Sequence, residues 1–215
     1  MSQRGLFITL EGGEGAGKST AMTYVERGLR EAGVDLICTR EPGGTRLGEQ
    51  LRETLLAPSE TGINPLAELL MMFAARAQHL SECILPALGR GQWVLCDRFT
   101  DASYAYQGAG RNMGESPVAV LEELVQGGLR PDLTLLLDVP SETGLSRARG
   151  RGALDRFEQE DHAFFERVRQ SYLSRAKRSS GRYQIIDASA DLAAVEQALE
   201  AVVQDLLACP PLVQD

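Results

Sequence analysis

Gly12, Gly13, Glu14, Gly15, Ala16, Gly17, Lys18, Ser19 and Thr20 satisfy the pattern GxxxxGK[ST] directly after a short apolar run. Glycines let the backbone turn with its N–H groups facing inward, and the helix expected next adds the positive end of its dipole. The segment therefore reads as a cradle for nucleotide phosphates. Lys18 is placed to reach the β and γ phosphates, and the Ser19 hydroxyl to ligate a Mg²⁺ that bridges phosphate oxygens. Glu14 is out of character in a loop that must receive a triphosphate. It is either a solvated loop carboxylate or a group serving a second, hydroxylated substrate.

Two further clusters extend this chemistry. Cys96-Asp97-Arg98 ends an apolar run, and α/β proteins bind ligands at the carboxyl ends of their strands. There Asp97 is suited to hold Mg²⁺ through water, and Arg98 to fork onto an acceptor phosphate. Arg147, Arg149, Arg151 and Arg156 surround Gly150 and Gly152, which reads as a mobile basic flap. Such a flap closes over a triphosphate and presents an arginine to the transferring group. The NKxD and DxxG signatures of a GTPase do not occur, and the glycines at 13, 15 and 17 do not form GxGxxG. Phosphoryl transfer from ATP to a small acceptor remains.

These groups need a scaffold that brings them to one edge. Apolar runs at 6–10, 34–39, 93–96, 133–139 and 183–186 alternate with helical patterns. The run at 133–137 shows no polar alternation, as expected of a strand covered by helices on both faces, which implies a parallel α/β sheet. Asn64 as N-cap and Pro65 at the first helical position open a helix. It sets Leu66, Leu69, Leu70, Phe73, Ala77, Leu80 and Ile84 on one stripe and is closed by Pro86 and the turn at 89–91. The glycine-rich stretches at 108–114 and 150–152 read as mobile loops within one domain, with a lid at about 147–157. Asp191 to Leu207 is a further helix with one apolar face, which core packing or a dimer contact explains equally well.

With 22 Lys and Arg against 30 Asp and Glu, the net charge of −8 repels polyanions, which argues against nucleic-acid polymers as partners. The apolar N-terminal stretch is too short for a signal-peptide core, and no membrane-spanning run occurs, so a soluble cytoplasmic protein is expected. Cys38, Cys83, Cys96 and Cys209 show neither CxxC nor zinc spacing and read as free thiols in a reducing compartment.

At this point the chain resembles the thymidylate kinase (dTMP kinase) family, in stretches spread over nearly its whole length. These are EGGEGAGKST at 11–20, TREPGGT at 39–45, FAARAQHL at 73–80, DRFTDASYAYQG at 97–108, RPDLTLLLD at 130–138 and LDRFEQE at 154–160. TREPGGT and the DRF…YQG block are the specific ones. The resemblance implies transfer of the γ-phosphate of Mg-ATP to dTMP, giving dTDP for dTTP synthesis. It also implies a nucleoside monophosphate kinase fold with five parallel strands, a short Arg-rich lid and a homodimer.

The resemblance further implies roles by position. Glu14 lies near the sugar 3′-hydroxyl and the phosphates, and Arg52 and Arg98 grip the acceptor phosphate. Arg76 donates to thymine O4, Ser103 and Gln107 contact the base edge, and Tyr106 crowds C2′ against a ribose. The family's stacking aromatic commonly falls four residues before the base-reading arginine, at Met72 here, with Phe73 one step later; both stay open. Relatives without a P-loop arginine supply it from the lid, which selects Arg151 and then Arg149 beside Lys18. Two other readings are a kinase for another small acceptor, such as a deoxynucleoside, and a nucleotide-gated interaction protein.

Overall fold

The computed structural model describes residues 4–58, 61–150, 155–179 and 181–210. Five parallel strands, β1 (Phe7–Gly12), β2 (Leu36–Arg40), β3 (Trp93–Asp97), β4 (Leu133–Asp138) and β5 (Tyr183–Asp187), form one sheet in the order β2-β3-β1-β4-β5. All five lie where the apolar runs predict them.

β1 is buried along its whole length, and its residues alternate between two cores. Leu6, Ile8 and Leu10 pack with α1 (Lys18–Glu31) and α9 (Leu192–Ala208) through Val25, Leu29, Leu199 and Val203. Phe7 faces the other side, with Leu80, Ile84, Val94 and Phe99. This alternation also sends Glu11 to the second face, where the site is built.

Helix α3 (Pro65–His79) begins as its sequence predicts, with the Asn64 side chain accepting from the N–H of Leu66 at 2.9 Å. Two details differ from expectation. Leu66, Leu70 and Ala77 are exposed, and the buried face instead runs through Glu68, Leu69, Phe73, Arg76 and His79. Nor does Pro86 end the helix: α3 widens into a π-helical turn (Leu80–Ile84) and continues as α4 (Leu85–Gly89). The extra residue in that turn accommodates the N–H that proline cannot donate.

The stretch at 108–114 is also not a loop over its first part. After α5 (Thr100–Ser103) the chain forms a π-helical segment (Tyr104–Gly110), buried at every residue but Ala109. Gly110 is there for packing, since a Cβ would lie 2.6 Å from the Phe164 ring. The remaining elements are α2 (Arg46–Leu56), α6 (Ser116–Gln126), α7 (Ser141–Arg149) and α8 (His162–Arg178). Among the described residues no helix is long and apolar enough to cross a membrane.

Candidate active site

The carboxyl ends of β1 and β3 open into a cleft of about 180 Å³. Its floor is the glycine loop. Gly15 has a φ of 69°, and a Cβ on it would meet the Gly144 carbonyl oxygen at 1.9 Å, so the loop's close seat on α7 admits only glycine. Lys18, half-buried, donates to the carbonyl oxygens of Gly12 at 3.2 Å and Gly13 at 2.9 Å. Burial, then the nearby Arg98, pushes its pKa down to about 8, against the opposing pull of Glu14 and Asp97.

Arg98 follows β3 in the left-handed region, with a φ of 69°, a strained conformation for a non-glycine residue. Its guanidinium meets Glu14 Oε1 at 2.7 Å, the Gly12 carbonyl at 3.0 Å and the Tyr106 hydroxyl at 2.9 Å. Tyr106 in turn donates to Glu14 at 2.9 Å. Arg98 also donates to the Tyr172 hydroxyl at 3.2 Å, and Tyr172 donates to Glu11 at 2.7 Å. Burial, reinforced by Asp101, raises the Glu11 carboxyl to about 7. Across the cleft, Arg52 donates to the Pro42 carbonyl at 3.0 Å, and burial followed by Arg40 disfavours its charge. An anion beside Arg52 would relieve that cost.

Arg76 is 3% exposed and held on three sides. It donates to Glu41 at 2.7 Å, to the Phe99 carbonyl at 3.1 Å and to Ser103 Oγ at 3.0 Å, while its Nη1 is buried without a partner. Glu41 also meets His79 Nδ1 at 3.0 Å, and His79 Nε2 meets Thr39 Oγ1 at 2.6 Å. Burial opposes the His79 charge, but hydrogen bonds with Cys83 and Glu41 prevail and raise its pKa to about 9.

The structure brings Glu14, Gly15, Ala16, Gly17, Lys18, Ser19, Arg52, Met72, Arg76, Asp97, Arg98, Ser103, Tyr106 and Gln107 to this one cleft. Phe73 does not line it. Its ring lies 4.5 Å from the Arg76 guanidinium, packed with Leu69, Tyr104 and Val118, so Met72 is the one that faces the opening. Asp97 Oδ1 is buried without a partner on the same wall. Gly13 borders a smaller neighbouring cavity, and Thr20 a second large one.

The flap arginines divide. Arg147 is anchored by a bond from Nη1 to the Ala188 carbonyl at 2.8 Å, and Arg156 is buried against Glu68 at 2.7 Å, so neither is a free flap cation. Arg149 is exposed at the end of α7, and Arg151 lies outside the described residues.

The sequence model of the thymidylate kinase family matches residues 10–199. The chain belongs to the thymidylate kinase family. It is 61% identical to the thymidylate kinase of Pseudomonas entomophila strain L48 over 203 residues, 94% of this chain and 97% of that one. It is 59% identical to that of Pseudomonas putida strain GB-1 over the same shares. The crystal structure of thymidylate kinase from Ehrlichia chaffeensis superposes with a TM-score of 0.75 at 33% identity, covering 94% of this chain and 99% of that chain. The nucleoside monophosphate kinase fold is thus that of a thymidylate kinase, and a deoxynucleoside kinase is not favoured.

Several residues of the thymidylate kinase cleft escaped the sequence reading. Glu41 sits inside TREPGGT, and Asp155 and Phe157 inside LDRFEQE, so the motifs held them without giving them tasks. Glu11 and His79 likewise sit inside EGGEGAGKST and FAARAQHL without a task, whereas Glu68 and Tyr172 had no such signal, because their partners lie on other elements.

Proposed function

We propose that the cleft seats dTMP, its base against Arg76, Ser103, Gln107 and Met72 and its phosphate between Arg52 and Arg98, with Mg-ATP across the loop at 12–20. The chain phosphorylates dTMP to dTDP with ATP as donor, for dTTP synthesis. The observation that carries the residue-level reading is the buried, unpartnered Nη1 of Arg76, a fixed donor that demands an acceptor such as a base carbonyl.

Glu14 competes with the acceptor phosphate for Arg98, which keeps the arginine oriented until the phosphate displaces that contact. A second cavity of about 190 Å³, lined by Ala16, Gly17, Arg147, Ala188 and Leu192 on the far side of the loop, suits the donor's nucleoside. The unpartnered Asp97 Oδ1 and the Ser19 hydroxyl are hard oxygen donors, which fit Mg²⁺ better than a softer metal. When bound, Mg²⁺ neutralises charge on the phosphate oxygens. Lys18 does the same from the loop, Arg52 and Arg98 hold the attacking oxygen in line, and Arg151, or failing that Arg149, completes the charge clamp from the lid. Catalysis is positioning and charge neutralisation, without a covalent intermediate on the protein. The whole chain acts as a single domain with its lid near 147–157, and pairs as a homodimer in the cytoplasm.

ADP release with a panel of nucleoside monophosphates tests the assignment. We expect dTMP to be best and dUMP slower by about 10–200-fold, the worth of one methyl in an apolar pocket. Equal or better turnover of AMP, CMP or GMP refutes it.

A further inference from the structure

Glu68 is fully buried on α3, two turns before Arg76, and faces the back of the base pocket. It accepts from Gln107 Nε2 at 2.8 Å and pairs with Arg156 at 2.7 Å. Arg111 Nε adds contacts at 3.2 and 3.3 Å. The cations are themselves tied down: Arg156 Nε donates to the Leu55 carbonyl at 2.8 Å, and Arg111 also pairs with Glu160. A carboxylate held between two guanidinium groups has a fixed position and only accepts hydrogen bonds.

That restriction sets the orientation of a second side chain. Gln107 is 1% exposed and lines the cleft, and its amide has one end that donates and one that accepts. With Glu68 behind it, the NH₂ end must turn inward, which leaves Oε1 toward the base. Arg76 meanwhile presents a donor, its unpartnered Nη1. The pocket therefore offers a donor and an acceptor side by side. Thymine has the matching edge, O4 accepting and N3–H donating. Cytosine has the opposite one, an amino group at position 4 and an accepting N3.

We propose that Glu68 is a positioning residue that sets selectivity for thymine over cytosine by fixing the orientation of the Gln107 amide. This rests on the placement of dTMP given above. Glu68 touches neither substrate nor the reacting atoms, and it acts only through Gln107.

The test compares kcat/KM for dTMP and dCMP at saturating ATP. In Glu68→Gln the new amide can receive or donate, so Gln107 is free to turn. We expect the dTMP-to-dCMP ratio to fall at least tenfold, through a raised KM for dTMP with kcat changed less than threefold. Glu68→Asp keeps the negative charge between Arg111 and Arg156 and so protects folding, but its shorter arm leaves Gln107; the ratio falls in the same direction. On a Gln107→Met background, where no amide is left to orient, neither Glu68 variant shifts the ratio further. A merely structural role lowers both substrates alike, so an unchanged ratio in a folded variant, or an undiminished effect on the Gln107→Met background, overturns the proposal. If the wild-type enzyme does not prefer dTMP to dCMP, the base placement itself fails.

Discussion

Lys18 occupies two electrostatic situations. In the free protein its ammonium faces the carbonyls of Gly12 and Gly13 and the repulsive Arg98, and its pKa is pushed down to about 8. Triphosphate oxygens favour the charged form, so binding raises that pKa and takes up a proton. A terminal phosphate, with a second pKa of about 6, is already ionised at pH 8 and adds nothing to the exchange there. We expect calorimetry in buffers of different ionisation heat to show uptake of about half a proton per ATP at pH 8, and no uptake but a small net release at pH 6.5, where Lys18 is already charged and a minor fraction of the terminal phosphate still carries a proton to lose. Affinity for ATP should weaken as pH rises above 8. Absence of uptake at pH 8 would show that the lysine keeps its full charge in the free loop. The loop itself was legible residue by residue, because a phosphate cradle is local in sequence. The groups that orient its neighbours were not: Tyr172 reaches Glu11 across 161 positions and Gln107 reaches Glu68 across 39. No periodicity within one helix reports such contacts.

At the scale of elements, the basic stretch that follows β4 reads as one flap but is built as three parts. Arg147 belongs to α7 and the Ala188 carbonyl, Arg156 to the buried Glu68 and the carbonyls of α2, and Arg149 stands exposed at the end of α7, while Arg151 lies outside the described residues. The sequence reports charge and glycine content, and only the fold decides which arginines find partners. The same holds at 108–110, where glycines suggest a loop and instead admit the Phe164 ring beside a π-helical turn. Strands and the start of α3 were legible because their signals, apolar runs and the Asn64-Pro65 cap, are local. The division predicts different phenotypes. Arg151→Ala should lower kcat by about 10³-fold or more while KM moves little, as for a charge met only in the transition state. Arg156→Ala should instead cost about 1–3 kcal/mol of stability, since it strips one of two guanidinium partners from a buried carboxylate that Arg111 still holds, and melting curves read this directly. An unchanged kcat in Arg151→Ala would move the catalytic role to Arg149.

At the scale of the whole molecule, a net charge of −8 coexists with Lys18, Arg52, Arg76 and Arg98 in one cleft, so anions are held by short-range geometry and not gathered by a long-range field. The outer surface carries a second contrast. Leu66 and Leu70 on α3 are 51% and 48% exposed, and Val120 and Leu124 on α6, which packs against α3, are 68% and 78% exposed. The sequence reading set Leu66, Leu70 and Ala77 on one stripe with Leu69 and Phe73, but these three point outward because α3 already buries Glu68, Arg76 and His79 toward the site. A helix that spends its inner face on polar, site-forming groups and shows leucines outside has exchanged the usual pattern, and we propose that a second copy of the same face covers it by two-fold symmetry. We therefore expect the wild-type protein to sediment at twice its chain mass of 23.4 kDa. Leu70→Glu and Leu124→Glu each place a carboxylate where the partner would have to desolvate it, and should yield monomers at micromolar concentration. Because the same helix carries Arg76, monomers should also bind dTMP more weakly, while ATP affinity, set by the loop at 12–20, stays put. Sedimentation velocity decides the first point and paired titrations the second; dimers that persist in both variants would place the interface on another face.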